Sequence, residues 1–590
     1  MVSTHFSLQA QSFYRGLIKD SADSPLPNVK MLFQSSGYIF YSGTSGGFGI
    51  TSGTEKDSVT LSFEGYKTRK VLFDANKENV FTLVALSAKP KPKETRLMSA
   101  TRGIRIGQKI SSSVGGETYS NIVENDFMNS SRYPDIDFAI NTDKAAYSNI
   151  RRFLNMASPV PPDAVRIEEM LNYFDLEHEA PDYNQDFKIS SKLSTCPWNK
   201  NSDLLFLKAS ARKLDLDKIP PSNLVFLIDV SGSMDLPNRL PLLQSAFKLM
   251  VNNLRPIDTV SIVVYGGTVG IWLYPTSGVE KDKIIRSIEE LNPGGATAGE
   301  SGIRVAYRLA QSKFIPNGNN RVILATDGDF NVGQTSEDEL EFLITEQRQK
   351  GIYLTCLGVG MGNYKDSKLE VLAKKGNGNF AYIDNEKEGE KVLVKELTQT
   401  MYAVADDALL HVHFQQNALK NYRLIGYDNK VSAIEDTTSI LDGGELGSGH
   451  TLMAVFEIDR RDSAMIANST SSKLADIDIS YKVAADTNRR YCRLTVDTST
   501  TAFDELPRVY KFSTGLILFG SLLRESKYVK DMSWNDVQNI MQPLVRPDDY
   551  LEQEFMGLLE KAKKIYTKPK PTRGLRLKNI LAKPQEKTDR

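Results

Sequence analysis

A chain of 590 residues is longer than one hydrophobic core can organise, so several domains are expected. Apolar residues at 40% and charged residues at 25% exclude a wholly disordered chain, and 73 Lys plus Arg against 73 Asp plus Glu exclude bulk charge attraction to DNA or RNA. Cys196, Cys356 and Cys492 lie far apart with no C-x-x-C spacing, which argues against a disulfide framework or zinc site, and no run of eighteen apolar residues marks a transmembrane helix.

In chain order, Phe6-Ser7-Leu8-Gln9-Ala10-Gln11-Ser12 reads as the end of a secretory signal whose charged and apolar front is missing, so residues 1–12 are taken as its remnant and the true start is expected upstream. From 13 to 87, short runs such as Val29–Phe33 and Ser58–Phe63, broken by Gly, Pro and Ser, predict a small antiparallel β-sandwich. The Pro/Lys-rich and then polar stretch 88–125 reads as linker, much of it disordered. Residues 126–221 form a separate unit, in which Asp163 is expected to cap a helix with apolar positions Val165, Ile167, Met170, Leu171 and Phe174.

Residues 222–403 alternate strands and helices. Apolar strands are predicted at Leu224–Val230, Thr259–Tyr265, Val322–Thr326 and Tyr353–Val359. Helical periodicity runs over 240–254, 281–291, 302–311, 337–349 and 368–375. Such alternation implies a doubly wound, mostly parallel sheet with helices on both faces. Cys356 lies in one of these strands and reads as a core thiol. Strands return at 409–414, 451–458 and 477–481, followed by helices near 509–523, 534–541 and 550–564, so 404–567 reads as a β-rich domain with terminal helices. Residues 568–590 form a basic tail.

The densest chemistry is Asp229-Val230-Ser231-Gly232-Ser233 directly after the apolar run Leu224–Ile228. A buried strand ending in Asp-x-Ser-x-Ser delivers oxygen ligands at its C-terminal tip, where open α/β sheets bind ligands. Thr297, within Pro293-Gly294-Gly295-Ala296-Thr297-Ala298-Gly299, and Asp327, which ends the run Val322–Thr326, complete a set of two carboxylates and three hydroxyls. Hard oxygens alone suit Mg²⁺, or Mn²⁺ or Ca²⁺, better than zinc or copper. Two carboxylates balance the ion's charge and leave it electrophilic toward one further oxygen. Asp235 and Asp329 stand nearby, and each reads equally well as a solvated loop carboxylate.

The five residues Asp229, Ser231, Ser233, Thr297 and Asp327 resemble the metal-ion-dependent adhesion site of the von Willebrand factor type A (VWA) domain. The resemblance implies a Rossmann-like fold, a protein partner that offers Asp or Glu to the metal, and a role in binding rather than catalysis. Asp137–Asp143, running into Ala145–Leu154 and Pro161–Phe174, resembles the N-terminal extension of a bacterial envelope subfamily, which carries Asp-Val-Asp-Thr where this chain has Ala139-Ile140-Asn141-Thr142. Tyr422–Asn429 with Gly444–Thr451 resembles that subfamily's C-terminal domain. Gly16, Asp20, Pro25–Val29, Gly47–Ile50 and Leu61–Tyr66 resemble the carboxypeptidase-regulatory-like domain of Bacteroidetes envelope proteins, an accessory or docking module. The expected setting is therefore the periplasm or cell surface.

Two rival functions stay open on sequence: an adaptor for a MoxR-type ATPase, and a Mg²⁺- or Mn²⁺-dependent hydrolase. The hydrolase lacks support, since none of His5, His178, His411, His413 and His450 falls in 222–403 and no Gly-x-Ser-x-Gly or His-Glu-x-x-His occurs. His411 and His413 share a strand face and read as a half-exposed pair.

Overall fold

The computed structural model describes residues 12–567, apart from 22, 27–28, 37–38, 44, 64–65, 85–95, 99–110, 115–116, 121, 140–142, 267–268, 295–298, 329–336, 362–365, 397–398, 400–401, 428–442, 461–472 and 484–487. The expected signal remnant (bar Ser12), the basic tail, Ile140, Asn141, Thr142, Thr297 and Asp329 lie outside the described residues. The chain divides into two units, Met1–Glu94 and Thr95–Arg590.

The first unit has a three-stranded sheet ordered Gly47–Ser52, Ser12–Asp20, Asn79–Leu83. Its four-stranded sheet runs Ile39–Tyr41, Lys30–Phe33, Lys56–Ser62, Arg69–Asp74. Alternation works here as expected: along Lys56–Ser62 the buried positions are Asp57, Val59 and Leu61. Val59 and Leu61 join Tyr14, Ile18, Met31, Phe33 and Phe73 in one core. One correction applies: Ser12–Asp20 pairs with Asn79–Leu83 in parallel, so the sandwich is mixed.

In the second unit the strands on either side of the α/β region share sheets. A five-stranded antiparallel sheet runs Met128–Asn129, Leu419–Ile425, Thr451–Arg460, Asp203–Ala211, Phe187–Thr195. A second sheet runs Arg490–Asp497, Lys473–Lys482, Ala403–Phe414, Asp135–Ala139, Arg96–Met98, with Gly444–Gly447 also on Ala403–Phe414. Their inner faces share one core, including Phe138, Leu205, Leu207, Val412, Phe414 and Phe456. The two flanks read from sequence as separate domains thus build a single sandwich, with the α/β region inserted between Asp203–Ala211 and Ala403–Phe414. The stretch expected to be linker also contributes: Arg96–Met98 joins a sheet, and Ser111–Val114 pairs with Glu117–Ser120.

Asp203–Ala211 is buried at every position. One face meets the sandwich core, and the other, through Leu204 and Phe206, meets Val509, Tyr510 and Ile517 of the helix Arg508–Leu523. That double coverage explains the apolar run Leu204–Leu207. Asp163 caps no helix. Pro161 and Pro162 hold a short 3₁₀ turn there, the helix starts later at Ile167, and the Asp163 carboxylate accepts from Ile122 N at 3.0 Å.

The insert is a six-stranded sheet ordered Gly270–Ser277, Thr259–Tyr265, Ser222–Asp229, Asn319–Thr326, Ile352–Gly358, Phe380–Tyr382, parallel except for the first strand. Helices Leu240–Asn252 and Lys281–Glu289 cover one face. Gly299–Ser312, Glu337–Gln349 and Asp366–Lys375 cover the other. Strand order reverses between Ser222–Asp229 and Asn319–Thr326, which is where a doubly wound sheet opens a crevice at its C-terminal edge. Cys356 lies fully buried in this sheet.

Candidate metal site at the sheet switch point

Asp229 ends its strand at the switch point, 0% exposed. Its Oδ1 accepts from Ser231 N at 2.8 Å, which folds the chain sharply back over the strand tip. Its Oδ2 accepts from the Thr326 hydroxyl at 3.1 Å, across the gap to the neighbouring strand. Burial, with the nearby Asp327 carboxylate adding repulsion, pushes Asp229 up to about 6. The Ser231 and Ser233 hydroxyls stand 3.1 Å apart, Ser231 buried and Ser233 exposed, so the cluster has one wet side. Asp327 is 2% exposed and follows Thr326 at the adjacent tip. Four of the five sequence-derived candidates therefore converge. Thr297, the fifth, lies outside the described residues. The loop that leads to it is tied in at Gly294, whose N–H donates to Val230 O at 2.6 Å.

Three participants escaped the sequence reading. Tyr265, fully buried beside Asp229, has its phenol held well above the usual range by burial and by that carboxylate. Gly266 lies against the Asp229–Ser231 loop with φ +141°, and a Cβ there would stand 2.4 Å from Ser231 N. Arg239 donates from Nη1 to Asp327 Oδ2 and to Ser233 O, both at 2.6 Å, and from Nη2 to Met361 O at 2.9 Å. A clue to Arg239 existed: it stands at the N-terminus of the helix Leu240–Asn252, where a cation opposes the helix dipole unless paired.

Among the described residues no group of three or more His, Cys, Asp or Glu side chains has metal-ligating geometry. The donor set of this cluster is instead two buried carboxylates with hydroxyls, which fits a hard dication. His411 and His413 lie on the outer sandwich face, with Nδ1 of each 2.8 Å from Asp137 and 2.7 Å from Asp135.

A cavity of about 780 Å³ in the second unit, bordered by none of these site residues, is lined in part by Lys144, Tyr173, Lys391, Glu396 and His450. Burial, with Lys144 adding repulsion, pushes His450 down to about 3, against 6.5 for a free imidazole. The unfolded chain therefore takes up this proton first as pH falls, so stability is whole above pH 6.5 and drains away toward pH 3. Between pH 6.5 and pH 5 the loss from this group is about 1.6 kcal/mol. Urea titrations at both pH values should show a His450→Gln variant losing that much less than wild type; equal slopes would remove His450 from the account.

Comparison with known proteins follows this anatomy. Residues 223–399 match the family model for the von Willebrand factor type A domain, 113–206 match a model described as von Willebrand factor, and 399–565 match the C-terminal model of the uncharacterized protein YfbK. The chain is 33% identical over 470 residues to the uncharacterized protein YfbK of Escherichia coli, covering 76% of this chain and 81% of that one. It is 29% identical over 173 residues to the human inter-alpha-trypsin inhibitor heavy chain H2, covering 28% of this chain and 18% of that one. Among solved structures, a von Willebrand factor type A protein from Catenulispora acidiphila aligns with a TM-score of 0.37 at 16% identity, covering 58% of this chain and 80% of that one.

Proposed function

For a chain that belongs to the von Willebrand factor type A family, in the branch that includes Escherichia coli YfbK, we propose metal-dependent protein binding without catalysis. Asp229, Ser231, Ser233, Thr297 and Asp327 hold a divalent cation, Mg²⁺ with Mn²⁺ or Ca²⁺ as substitutes, and an Asp or Glu from a partner protein completes its shell. The ion supplies Lewis acidity toward that partner oxygen. The chain's own residues do the rest: Asp229 and Asp327 set the charge, and the serines add neutral ligands. The carrying observation is the meeting of two buried carboxylates and two hydroxyls at the switch point, on one wet side. We place this activity in the bacterial envelope, with the N-terminal sandwich as a docking module of the carboxypeptidase-regulatory-like kind, on the resemblances in the sequence.

The test is a thermal melt of the full chain with EDTA or with excess Mg²⁺. A hundredfold excess over Kd stabilises the native state by about 2.7 kcal/mol. Asp229→Asn or Ser233→Ala should erase that gain while the EDTA melt stays cooperative. A wild-type midpoint indifferent to Mg²⁺, Mn²⁺ and Ca²⁺ refutes the metal. Pull-down from a bacterial envelope extract with and without EDTA, read by mass spectrometry, then identifies partners whose capture needs the ion.

A further inference from the structure

Arg239 donates both to a candidate ligand's carboxylate and to the Asp-x-Ser-x-Ser loop. Its side chain is 9% exposed and that of Asp327 is 1% exposed, so little water screens the pair. Its three hydrogen bonds join the loops that follow three neighbouring strands: Ser233 O after Ser222–Asp229, Asp327 after Asn319–Thr326, and Met361 O after Ile352–Gly358. The backbone makes room for it. Gly360 has φ +79°, and a Cβ at that position would come within 2.6 Å of Arg239 Nε and 3.0 Å of its Cγ. A guanidinium has no acceptor and keeps its charge at any working pH, so it is a fixed positive charge beside the cluster.

The charge count follows. Asp229 and Asp327 together contribute two negative charges, and Arg239 returns one positive. The three side chains sum to minus one, and a bound dication raises the sum to plus one rather than zero. We infer that Arg239 is a specificity-determining residue that weakens the hold on a bare cation and leaves a surplus positive charge to draw in a carboxylate, so that cation and anion bind as a coupled pair. This rests on the metal-binding reading above and deepens it. The coupling is reciprocal: an anion that prefers the loaded site tightens the cation by the same factor.

The experiment titrates the full chain with Mn²⁺ alone and with Mn²⁺ in millimolar acetate, following free Mn²⁺ by electron paramagnetic resonance. Arg239→Gln removes the charge and keeps an amide donor; Arg239→Lys keeps the charge and loses the planar fork. The Gln variant should bind Mn²⁺ alone at least about tenfold more tightly than wild type, as expected when a neighbouring like charge is removed from a dication's surroundings. The Lys variant should stay within about threefold of wild type, and acetate should tighten Mn²⁺ binding more in wild type than in Gln.

Unchanged or weaker Mn²⁺ binding by a Gln variant that melts cooperatively overturns the inference and leaves Arg239 as a staple between loops. If the Gln variant does not fold, the Lys variant decides: near-wild-type affinity supports the charge role, and tenfold tightening overturns it. Binding by the Gln variant but not by wild type supports the inference and removes the proposed function. Binding by neither removes both.

Discussion

Replacing Arg151 with methionine should destabilise the second unit by about 3–5 kcal/mol, the usual cost of stripping one partner from a buried ionic cluster. Arg151 lies on the helix Ala145–Asn155 with its side chain 2% exposed. Its Nε donates to Asp384 Oδ2 at 2.8 Å and Nη2 donates to Asp384 Oδ1. Nη2 also donates to Glu388 Oε2 at 2.7 Å, and Nη1 to Glu554 Oε1 at 3.0 Å. Asp384 and Glu388 belong to the end of the insert, and Glu554 to the final described helix, Tyr550–Tyr566. One guanidinium therefore joins three parts of the chain. Methionine retains much of the volume but leaves three carboxylates facing one another, so the loss should far exceed that of a surface ion pair. Urea unfolding monitored by far-ultraviolet circular dichroism measures it; a loss below about 1 kcal/mol would show that water or a shifted lysine replaces the charge.

Gly266→Ala should damage stability and metal response together. A Cβ at Gly266 would lie 2.4 Å from Ser231 N, 2.6 Å from Val230 C and 2.9 Å from Ser231 Cα, all backbone atoms that cannot rotate away. With φ at +141°, alanine also meets a backbone conformation that L-residues rarely adopt. Relief must come from moving the Asp229–Ser231 loop. The expected cost is about 3 kcal/mol or more, with loss of the Mg²⁺-dependent rise in melting midpoint. Gly270→Ala is the control: nothing lies within 4 Å of its added methyl, so both readings should stay at wild-type values. A Gly266→Ala protein that keeps its Mg²⁺ response would detach this glycine from the site.

Four strands of the central sheet were legible because they are buried on both faces, whereas the part-exposed edge strand Gly270–Ser277 and the three-residue Phe380–Tyr382 were not read. Ser222–Asp229 and Asn319–Thr326 carry uninterrupted apolar runs, and the helices between them keep a 3.6-residue period. Asp229, Ser231 and Ser233 could be read for a different reason, since one tight turn places them together and that turn is local. Arg239 could not. Its place before a helix N-terminus marks it as a cation in want of a partner, but that carboxylate is 88 positions away and no local pattern names it. The same limit hid the merging of the flanks. Alternation along Ala403–Phe414 identifies Leu410, Val412 and Phe414 as the inward set, but no local pattern reveals that Asp135–Ala139 is its neighbour. His411 and His413 looked like ordinary outward residues, and their pairing with Asp137 and Asp135 depends on that unseen register. Asp163 failed as a cap because two prolines reset the backbone just before it.

Insertion of the α/β sheet into the sandwich sets a timetable for biosynthesis. Ser210 and Thr451 meet across paired strands although 241 positions separate them. At about 5–20 residues per second, the ribosome needs roughly 10–50 s to deliver the second strand after the first. Throughout that interval Asp203–Ala211, a strand buried at every position in the finished fold, waits for Thr451–Arg460 and the helix Arg508–Leu523, whereas the inserted sheet has every strand it needs once Tyr382 is made. The nascent chain thus completes its middle before its beginning, and fragments that stop soon after position 403 should be aggregation-prone rather than half-folded.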